Sequence, residues 1–193
     1  MVDRRSYANR GMEFEGLIKF ANERYKQQKL ACIEKQATAW LPIRNEAGKI
    51  VKAKVKEKAS VDFMGRYKHI PIAIEAKSTF EDSIRFDEVQ SHQADFMDDF
   101  SVPGTIGLVV VCFNLQHYYV IPWAHWQAAY NARVRPGRTR TTPCTVKAFG
   151  QTWEVPRKFS VRMDELNPAW KLSDETVSYG FDYLRDIEKY IIR

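Results

Sequence analysis

The apolar residues of this chain recur with two periods, one typical of helices and one of strands. A first helix is predicted over residues 7–28, where an apolar stripe follows Phe14, Leu17, Ile18, Ala21 and Tyr25. Strands are predicted at residues 30–34, 38–44, 50–58, 70–77, 105–113 and 118–122, a small hairpin at 145–155, a loop at 78–86, and further helices at 87–100, 123–130 and 178–193. This order of elements predicts an α/β fold, in which helices flank both faces of a mixed central β-sheet.

The strand predicted over residues 70–77 carries the candidate chemistry. Side chains alternate between the two faces of a strand, so Glu75 and Lys77 share one face while the three isoleucines of this strand point to the other. Twelve residues separate Asp62 from Glu75, and one residue separates Glu75 from Lys77. This D…ExK arrangement is typical of metal-dependent nucleases. The same spacing also fits a surface ion pair on an edge strand.

Phosphodiester hydrolysis explains why these residue types belong together. The reaction needs an activated water and a charge that stabilises the departing 3′-oxygen, and one or two bound Mg²⁺ ions supply both. Mg²⁺ prefers hard oxygen ligands and keeps several waters, so a small number of carboxylates suffices. We expect Asp62 and Glu75 to be the core ligands and the backbone carbonyl of Ala76 to be a further one. Lys77 would orient the attacking water or stabilise the transition state.

Two residues outside this strand are further candidates. Glu15 lies beside the apolar stripe of the first helix, and it could hold a second ion directly or through water if that helix crosses the strand ends. Gln93 falls on the core-facing side of the helix predicted at residues 87–100. A buried amide needs partners, so Gln93 either bonds a strand end or points into the active site, where it would position a water or a phosphate oxygen.

A lysine-rich hairpin is predicted before the candidate site. Lys52, Lys54, Lys56 and Lys58 occupy every second position after a turn at residues 45–48, which places their ammonium groups on one face of a strand. One interpretation is a solvated edge strand that lysines protect from aggregation, and the other is a projecting hairpin that grips phosphates. The residues expected to bind DNA are Arg10, Arg44, Lys49, Lys52, Lys54, Lys56 and Lys58.

Length and charge set the context for these motifs. The chain has 193 residues, enough for a substantial core, and we predict one domain over residues 1–193. The net charge of +6 favours a polyanionic partner. Basic residues are concentrated at 44–58 and 133–140, apart from an acidic segment at 81–99, a distribution that suggests a shaped nucleic-acid surface.

Other classes of protein are disfavoured. The longest apolar run, residues 106–113, is too short to span a membrane, and the N-terminus lacks the apolar core of a signal peptide, so a cytoplasmic protein is expected. Cys32, Cys112 and Cys144 are widely spaced and odd in number, which predicts reduced thiols instead of a zinc site or a disulfide framework. The sequence contains no P-loop, no His-Glu-x-x-His motif and no nucleophile-elbow serine.

Three segments taken together resemble successive motifs of one known family. They are YANRGMEFE (residues 7–15), VDFMGRYKHIPIAIEAK (61–77) and SHQADFM (91–97). Their order and spacing resemble the RecU family, the Holliday-junction resolvases of Gram-positive bacteria and their phages, over roughly residues 5–130. The resemblance implies a restriction-endonuclease-like core, a homodimer, and Mg²⁺- or Mn²⁺-dependent paired nicking of four-way junctions during recombination and repair.

The resemblance also implies roles for particular positions. The catalytic positions of the family fall on Glu15, Asp62, Glu75, Lys77 and Gln93, and its projecting stalk falls on about residues 40–58. The basic N-terminal arm of the family corresponds to residues 1–10. Residues 131–193 are expected to form a variable C-terminal extension of the same domain, in which the 133–140 loop is an insertion. Recombination proteins are possible partners.

Several functions remain open from the sequence. The leading hypothesis is a structure-selective endonuclease that acts on Holliday junctions. Its symmetric cutting would suit an isologous two-fold dimer, whose basic hairpins contact phosphates at the junction centre without reading sequence. The alternatives are a restriction or repair endonuclease of the same fold, a junction-binding protein that has lost catalysis, and a basic globular protein with neither activity.

Overall fold

The computed structural model describes residues 4–133, 144–148, 151–155, 159–178 and 180–191. Its helices are α1 (Arg4–Gln27), α2 (Ser91–Phe100), α3 (Trp123–Ala132) and α4 (Asp174–Ser178). Its strands are β1 (Ala31–Lys35), β2 (Ala39–Arg44), β3 (Ile50–Glu57), β4 (Phe63–Tyr67), β5 (Ile70–Thr79), β6 (Ser83–Arg85), β7 (Ile106–Phe113), β8 (His117–Pro122), β9 (Cys144–Ala148), β10 (Gln151–Val155) and β11 (Ser160–Arg162). Within these ranges, no helix has the length and apolar character needed to cross a membrane.

A mixed five-stranded sheet forms the centre of the molecule and confirms the predicted α/β fold. Its strand order is β1-β4-β5-β7-β8, in which β5 and β7 run parallel and every other neighbouring pair is antiparallel. β7 is buried along its whole length, as the continuous apolar run predicts for a strand covered on both faces.

The alternation along β5 divides the interior into two cores. Ile70, Ile72, Ile74 and Ala76 belong to the core beneath α1, together with Phe14 and Ile18 of that helix. Ala73 belongs to the opposite core, which also contains Met97 of α2 and Trp126 of α3. The predicted separation of the isoleucines from the Glu75 face is therefore confirmed, and it directs the candidate site towards α2.

The lysine-rich segment forms a separate two-stranded hairpin, made of β2 and β3 and called the basic hairpin here. The chain leaves the central sheet after Lys35 to form this hairpin and rejoins the sheet at Phe63. Lys35 and Phe63 pair with each other at the end of the β1–β4 ladder. The basic hairpin therefore leaves the body from the sheet end at which Asp62 lies. Every residue of β2 is exposed, as expected for a projection with no core of its own.

The structure corrects the predicted element boundaries near the termini. The residues predicted as a basic arm are, from Arg4 onwards, the first turns of α1. The helix predicted at residues 178–193 is wrong: the described residues 180–191 contain turns and a 3₁₀ helix at Ile187–Tyr190. Phe181 and Asp186 have φ values of 59° and 58°, a left-handed backbone that a continuous helix cannot contain. The apolar side chains at Phe181, Leu184 and Ile187 are nevertheless buried.

The region between β5 and α2 also differs from the prediction. Residues 83–85 of the predicted loop form β6, which pairs with β11 near the C-terminus. Phe86 is buried at the start of a 3₁₀ turn that extends to Glu88, and α2 begins at Ser91, later than predicted. The predicted small hairpin is confirmed as β9 paired with β10. Most of the predicted 133–140 insertion lies outside the described residues.

The cysteine prediction can be compared with the structure at two of its three positions. Cys32 in β1 and Cys112 in β7 are not joined in a disulfide, and the side chain of Cys144 lies outside the described part of the structure. Cys32 and Cys112 both belong to strands of the central sheet.

Gly65 provides a test of the sheet register. A Cβ atom at this position would lie 2.0 Å from the carbonyl oxygen of Cys32 in the neighbouring strand β1. We expect Gly65→Ala to lower the free energy of unfolding by about 2–3 kcal/mol. The control is Gly16→Ala in α1, where a Cβ would meet nothing within 4 Å and where alanine should stabilise by about 0.5–1 kcal/mol. Urea unfolding measures both, and equal effects would contradict the register.

Candidate active site

The end of the β4–β5 ladder brings the two predicted metal-binding carboxylates together. The last paired residues are Phe63 and Ile74, so Asp62 and Glu75 lie immediately beyond the ladder on neighbouring strands. Asp62 Oδ2 accepts a hydrogen bond of 2.8 Å from the backbone N–H of Ala76, which fixes its side chain across the gap. The backbone carbonyl of Asp62 accepts from the N–H of Gln36 at 2.8 Å. The residues at the two ends of the basic hairpin, Gln36 and Asp62, are thereby hydrogen-bonded to each other next to the site.

Glu75 is fully buried, and its two carboxylate oxygens have different surroundings. Oε1 accepts from Gln93 Nε2 at 2.6 Å and lies 2.6 Å from Lys77 Nζ. Oε2 is buried and has no hydrogen-bond partner within the described part of the chain. A buried carboxylate oxygen without a donor is costly, so its position indicates a partner such as a proton or a cation.

Burial determines the ionisation of both carboxyl groups. Burial, together with the nearby Asp62, raises the pKa of Glu75 to about 8 against the opposing charge of Lys77. Burial also raises the pKa of Asp62, against the N–H of Ala76 and the charge of Lys77, which lower it. Two neighbouring carboxyl groups that resist ionisation together would become stable anions when a cation binds between them.

The donor set fits a hard divalent cation. Asp62 and Glu75 supply carboxylate oxygens, the kind that Mg²⁺ prefers. The carbonyl of Ala76 lies on the same side of β5 as its N–H, because both groups of an extended residue point to one side, and that N–H bonds Asp62. Within the described residues, no group of three or more His, Cys, Asp or Glu side chains converges. The two carboxylates and water would therefore provide most ligands.

Glu15 is near this pair but is held differently from the prediction. Its Oε2 forms an ion pair with Lys35 Nζ, and its charge raises the pKa of Asp62. The first helix therefore does bring Glu15 towards the strand ends. Lys35 was missed from the sequence, although its position at the end of β1, paired with Phe63, could have indicated it.

Gln93 satisfies both interpretations of a buried glutamine. It lies in the first turn of α2, is buried, and bonds Glu75, which is a residue of β5 and also a residue of the candidate site. Its Oε1 accepts from the backbone N–H of Gln90 at 2.9 Å. Gln90 Oε1 in turn accepts from Lys58 Nζ at 3.0 Å. Sequence reasoning missed Gln90, because no periodicity marks a residue that acts at the start of a helix.

The predicted DNA-binding residues lie mainly on the basic hairpin. Arg44, Lys49, Lys52, Lys54 and Lys56 are exposed there, and Lys58 follows β3. Arg10 lies in α1, and its side chain is outside the described part of the structure.

The register of the basic hairpin gives its two faces different characters. Lys54 lies opposite Leu41 and Lys52 opposite Ile43, while Trp40 lies opposite Val55. Directly opposed residues share a face, so the lysines and the Trp40–Val55 pair lie on opposite faces. The predicted shared face is confirmed for Lys52 and Lys54, whereas Lys58 lies beyond the end of β3 and bonds Gln90 instead. The Trp40–Val55 face is apolar.

Comparison with known proteins gives one family match. The family model RecU, described as "Recombination protein U", matches residues 9–184. The match continues well past residue 130, where the sequence resemblance was expected to end. The C-terminal part accordingly belongs to the family pattern, in agreement with the burial of Phe181 and Leu184 in the core beneath α1.

Individual relatives carry the name of the same family. The chain is 33% identical over 127 residues to "Holliday junction resolvase RecU" of Streptococcus mutans serotype c, covering 62% of this chain and 64% of that protein. It is 26% identical over 156 residues to the protein of the same name from Bacillus mycoides, covering 77% and 78%. The solved structure of Archaeoglobus fulgidus Hjc, a Holliday junction resolvase, is a remote likeness: 12% identity, 56% of this chain, 78% of that chain and a TM-score of 0.35.

The buried carboxyl of Glu75 predicts a pH-dependent stability. Its ordinary pKa is 4.5 and its folded pKa is about 8, so between these values the folded state retains a proton that the unfolded state releases. The free energy of unfolding must then fall as pH rises through this window. Glutamine cannot ionise, so Glu75→Gln should gain stability over the unsubstituted protein from about pH 5 to about pH 9, by a few kcal/mol at most.

Urea unfolding in a chelator at both pH values measures this gain. Glu81→Gln, in the exposed turn after β5, is the matched control. A Glu75→Gln stability difference that is the same at both pH values would show that the carboxyl ionises normally in the folded protein.

Proposed function

This chain belongs to the RecU family, and on that premise we propose that it is a metal-dependent endonuclease that resolves Holliday junctions by paired, symmetric nicks. The observation that carries the proposal is the meeting of Asp62, Glu75 and Lys77 at one sheet end, where Glu75 Oε2 is buried without a hydrogen-bond donor in the described structure. The alternative interpretation of this motif, a surface ion pair on an edge strand, disagrees with the complete burial of Glu75.

The site residues divide the work of phosphodiester hydrolysis. Asp62, Glu75 and the carbonyl of Ala76 would hold Mg²⁺ or Mn²⁺, which when bound activates water and stabilises charge on the departing 3′-oxygen. Asp62 is preorganised for this task, because the N–H of Ala76 already fixes one of its oxygens. Glu15 would assist through water, since its own carboxylate is paired with Lys35.

Lys77 is placed to act on the reacting groups. Its Nζ lies 2.6 Å from Glu75 Oε1, and its side chain is 18% exposed, so it reaches from a buried carboxylate towards solvent. An ammonium group at this border can orient the attacking water and stabilise the negative charge that develops on the scissile phosphate. Water attack at phosphorus then breaks the bond to the 3′-oxygen, which leaves a 5′-phosphate and a 3′-hydroxyl.

The basic hairpin supplies the preference for a junction over plain duplex. It leaves the body beside Asp62, so phosphates held on its lysine face would lie next to the catalytic residues. Such contacts position DNA without reading its sequence. A projecting hairpin can enter the open centre of a four-way junction, whereas a linear duplex has no such opening.

Two copies of the chain are needed for paired cutting. A two-fold homodimer would present two equivalent sites to two strands of the junction. The apolar face of the basic hairpin supports a second copy as its occupant: Trp40 is 60% exposed and Val55 43% exposed in one subunit, and an apolar surface on a narrow projection gains stability when a partner covers it.

Cleavage of a labelled four-way junction in Mg²⁺, compared with the matched linear duplex, tests the function directly. We expect symmetric nicks on the junction alone. Asp62→Asn should reduce the cleavage rate by at least about a thousandfold, because it removes a metal-ligating charge, and it should leave junction binding largely intact. Asp95→Asn, an exposed carboxylate on α2, is the control.

Three outcomes would change the assignment. Cutting of both substrates by the unsubstituted protein would indicate a nuclease without junction selectivity. Binding without any cutting would favour a junction-binding protein that has lost catalysis. Parallel loss of binding and cleavage in Asp62→Asn would mark Asp62 as a structural residue.

The basic hairpin predicts a substrate-dependent loss of affinity. Replacing Lys52, Lys54 and Lys56 together with alanine should weaken junction binding more than duplex binding. It should also reduce the slope of log K against log salt by roughly 2–3, about 0.9 for each phosphate that a lysine no longer neutralises. Fluorescence anisotropy over a salt series measures both.

The matched control changes charge without touching the basic hairpin. Lys19, Lys29 and Lys171 are exposed elsewhere on the molecule, and replacing all three with alanine removes the same charge. Equal losses for junction and duplex in the hairpin variant, or equal losses in the two triple variants, would reduce the basic hairpin to a general basic surface.

A further inference from the structure

The start of α2 carries a capping box formed by Gln90 and Gln93. Gln90 is the residue immediately before this helix, with φ −70° and ψ 157°. Its backbone N–H donates to Gln93 Oε1 at 2.9 Å, while Gln93 Nε2 donates to Glu75 Oε1 at 2.6 Å. The three residues therefore form a short chain of hydrogen bonds from the main chain of one element to the buried carboxylate of another.

The direction of this chain follows from chemistry. A glutamine amide has one end that accepts and one end that donates. A backbone N–H can only donate, so the end of Gln93 that faces Gln90 must be its oxygen. The NH₂ end must then face Glu75. Without the N–H of Gln90, either end of the amide could face the carboxylate, and an oxygen in that place would repel it.

The consequence for Glu75 is an asymmetric carboxylate. Oε1 is already occupied by two donors, the amide of Gln93 and the ammonium of Lys77. Oε2 has none within the described residues. The arrangement holds one oxygen in the protein and leaves the other available to a cation.

We propose that Gln90 is a positioning residue whose backbone N–H sets the amide orientation of Gln93, and thereby presents Glu75 Oε2 as the metal-binding oxygen. The proposal deepens the function proposed above and rests on it for the cleavage readout. Gln90 does not touch the metal or the substrate, and it acts through Gln93 alone.

The side chain of Gln90 has a separate contact. Its Oε1 accepts from Lys58 Nζ at 3.0 Å, and Lys58 follows the last strand of the basic hairpin. Main chain and side chain of one residue thus connect to different parts of the protein. A substitution that removes only the side chain can be compared with one that also removes the N–H.

Proline makes this comparison possible. The φ of Gln90, −70°, matches the angle that proline imposes. Val89, with φ −77° and ψ 111°, already has the extended backbone that is favoured before proline. Gln90→Pro therefore removes the N–H with little backbone strain, and Gln90→Ala removes the same side chain while keeping the N–H.

Metal binding and cleavage are the two readouts. Binding of Mn²⁺, followed in the absence of DNA by loss of the free-ion electron paramagnetic resonance signal, should be about tenfold weaker in Gln90→Pro than in Gln90→Ala. This is the scale of one hydrogen bond to a charged group. Single-turnover junction cleavage at saturating DNA should fall by a similar factor, with junction affinity equal in the two variants. Equal Mn²⁺ affinities in the two variants would overturn the proposal.

A double-variant comparison separates positioning from general damage to the fold. Because Gln90 acts only through Gln93, Gln90→Pro should have no further effect on Mn²⁺ affinity in a Gln93→Ala background. Additive losses would overturn the proposal. If Gln90→Pro does not fold, the glutamine α-hydroxy acid at position 90, which replaces the N–H with an ester oxygen and keeps the side chain, is compared with the unsubstituted protein under the same criteria.

The two proposals fail in different ways. If the unsubstituted protein binds Mn²⁺ but cuts no junction, the proposed function fails, and the Mn²⁺ comparison still decides the role of Gln90. If it cuts junctions and the two variants at Gln90 bind Mn²⁺ equally, only the positioning role fails.

Discussion

The burial of one carboxyl group within β5, just beyond the end of the β4–β5 ladder, is the constraint on which the site depends. Glu75 has no exposed surface, so its carboxyl group must either keep a proton or have its charge balanced inside the protein, where Lys77 and Gln93 contact Oε1. A buried charge opposes folding unless it is compensated. The surrounding elements are therefore arranged around it: α2 begins where its first turn can supply Gln93, and β4 ends where Asp62 can approach.

The burial of two neighbouring carboxyl groups lowers the stability of the folded protein. Without a cation, the raised pKa values of Glu75 and Asp62 show that the site favours protons over two adjacent charges. In the proposed function, a divalent cation would reverse that preference, because it would stabilise both anions together.

The basic hairpin and the candidate site meet at the same end of the β1–β4 ladder. The basic hairpin connects β1 to β4 next to Asp62. Lys58, which follows the hairpin, donates a hydrogen bond to Gln90 at the start of α2. A projection that is exposed along β2 is thereby connected, through Gln90 and Gln93, to the buried Glu75. In the proposed function, phosphates held on its lysine face would lie at a fixed distance from the carboxylates.

The sequence by itself determined the central strands β1, β5, β7 and β8, the shared face of Glu75 and Lys77, and the basic hairpin, because these follow from local alternation or from a continuous apolar run. It also indicated a buried Gln93 from helical spacing. Tertiary structure decided that Lys35 pairs with Glu15 and that Gln93 contacts Glu75, since both contacts join residues that are distant in the chain. Tertiary structure also replaced the predicted last helix with turns, because Phe181 and Asp186 have a left-handed backbone. The helix-like spacing of apolar residues in this segment reflects their burial against distant parts of the chain and not a helix.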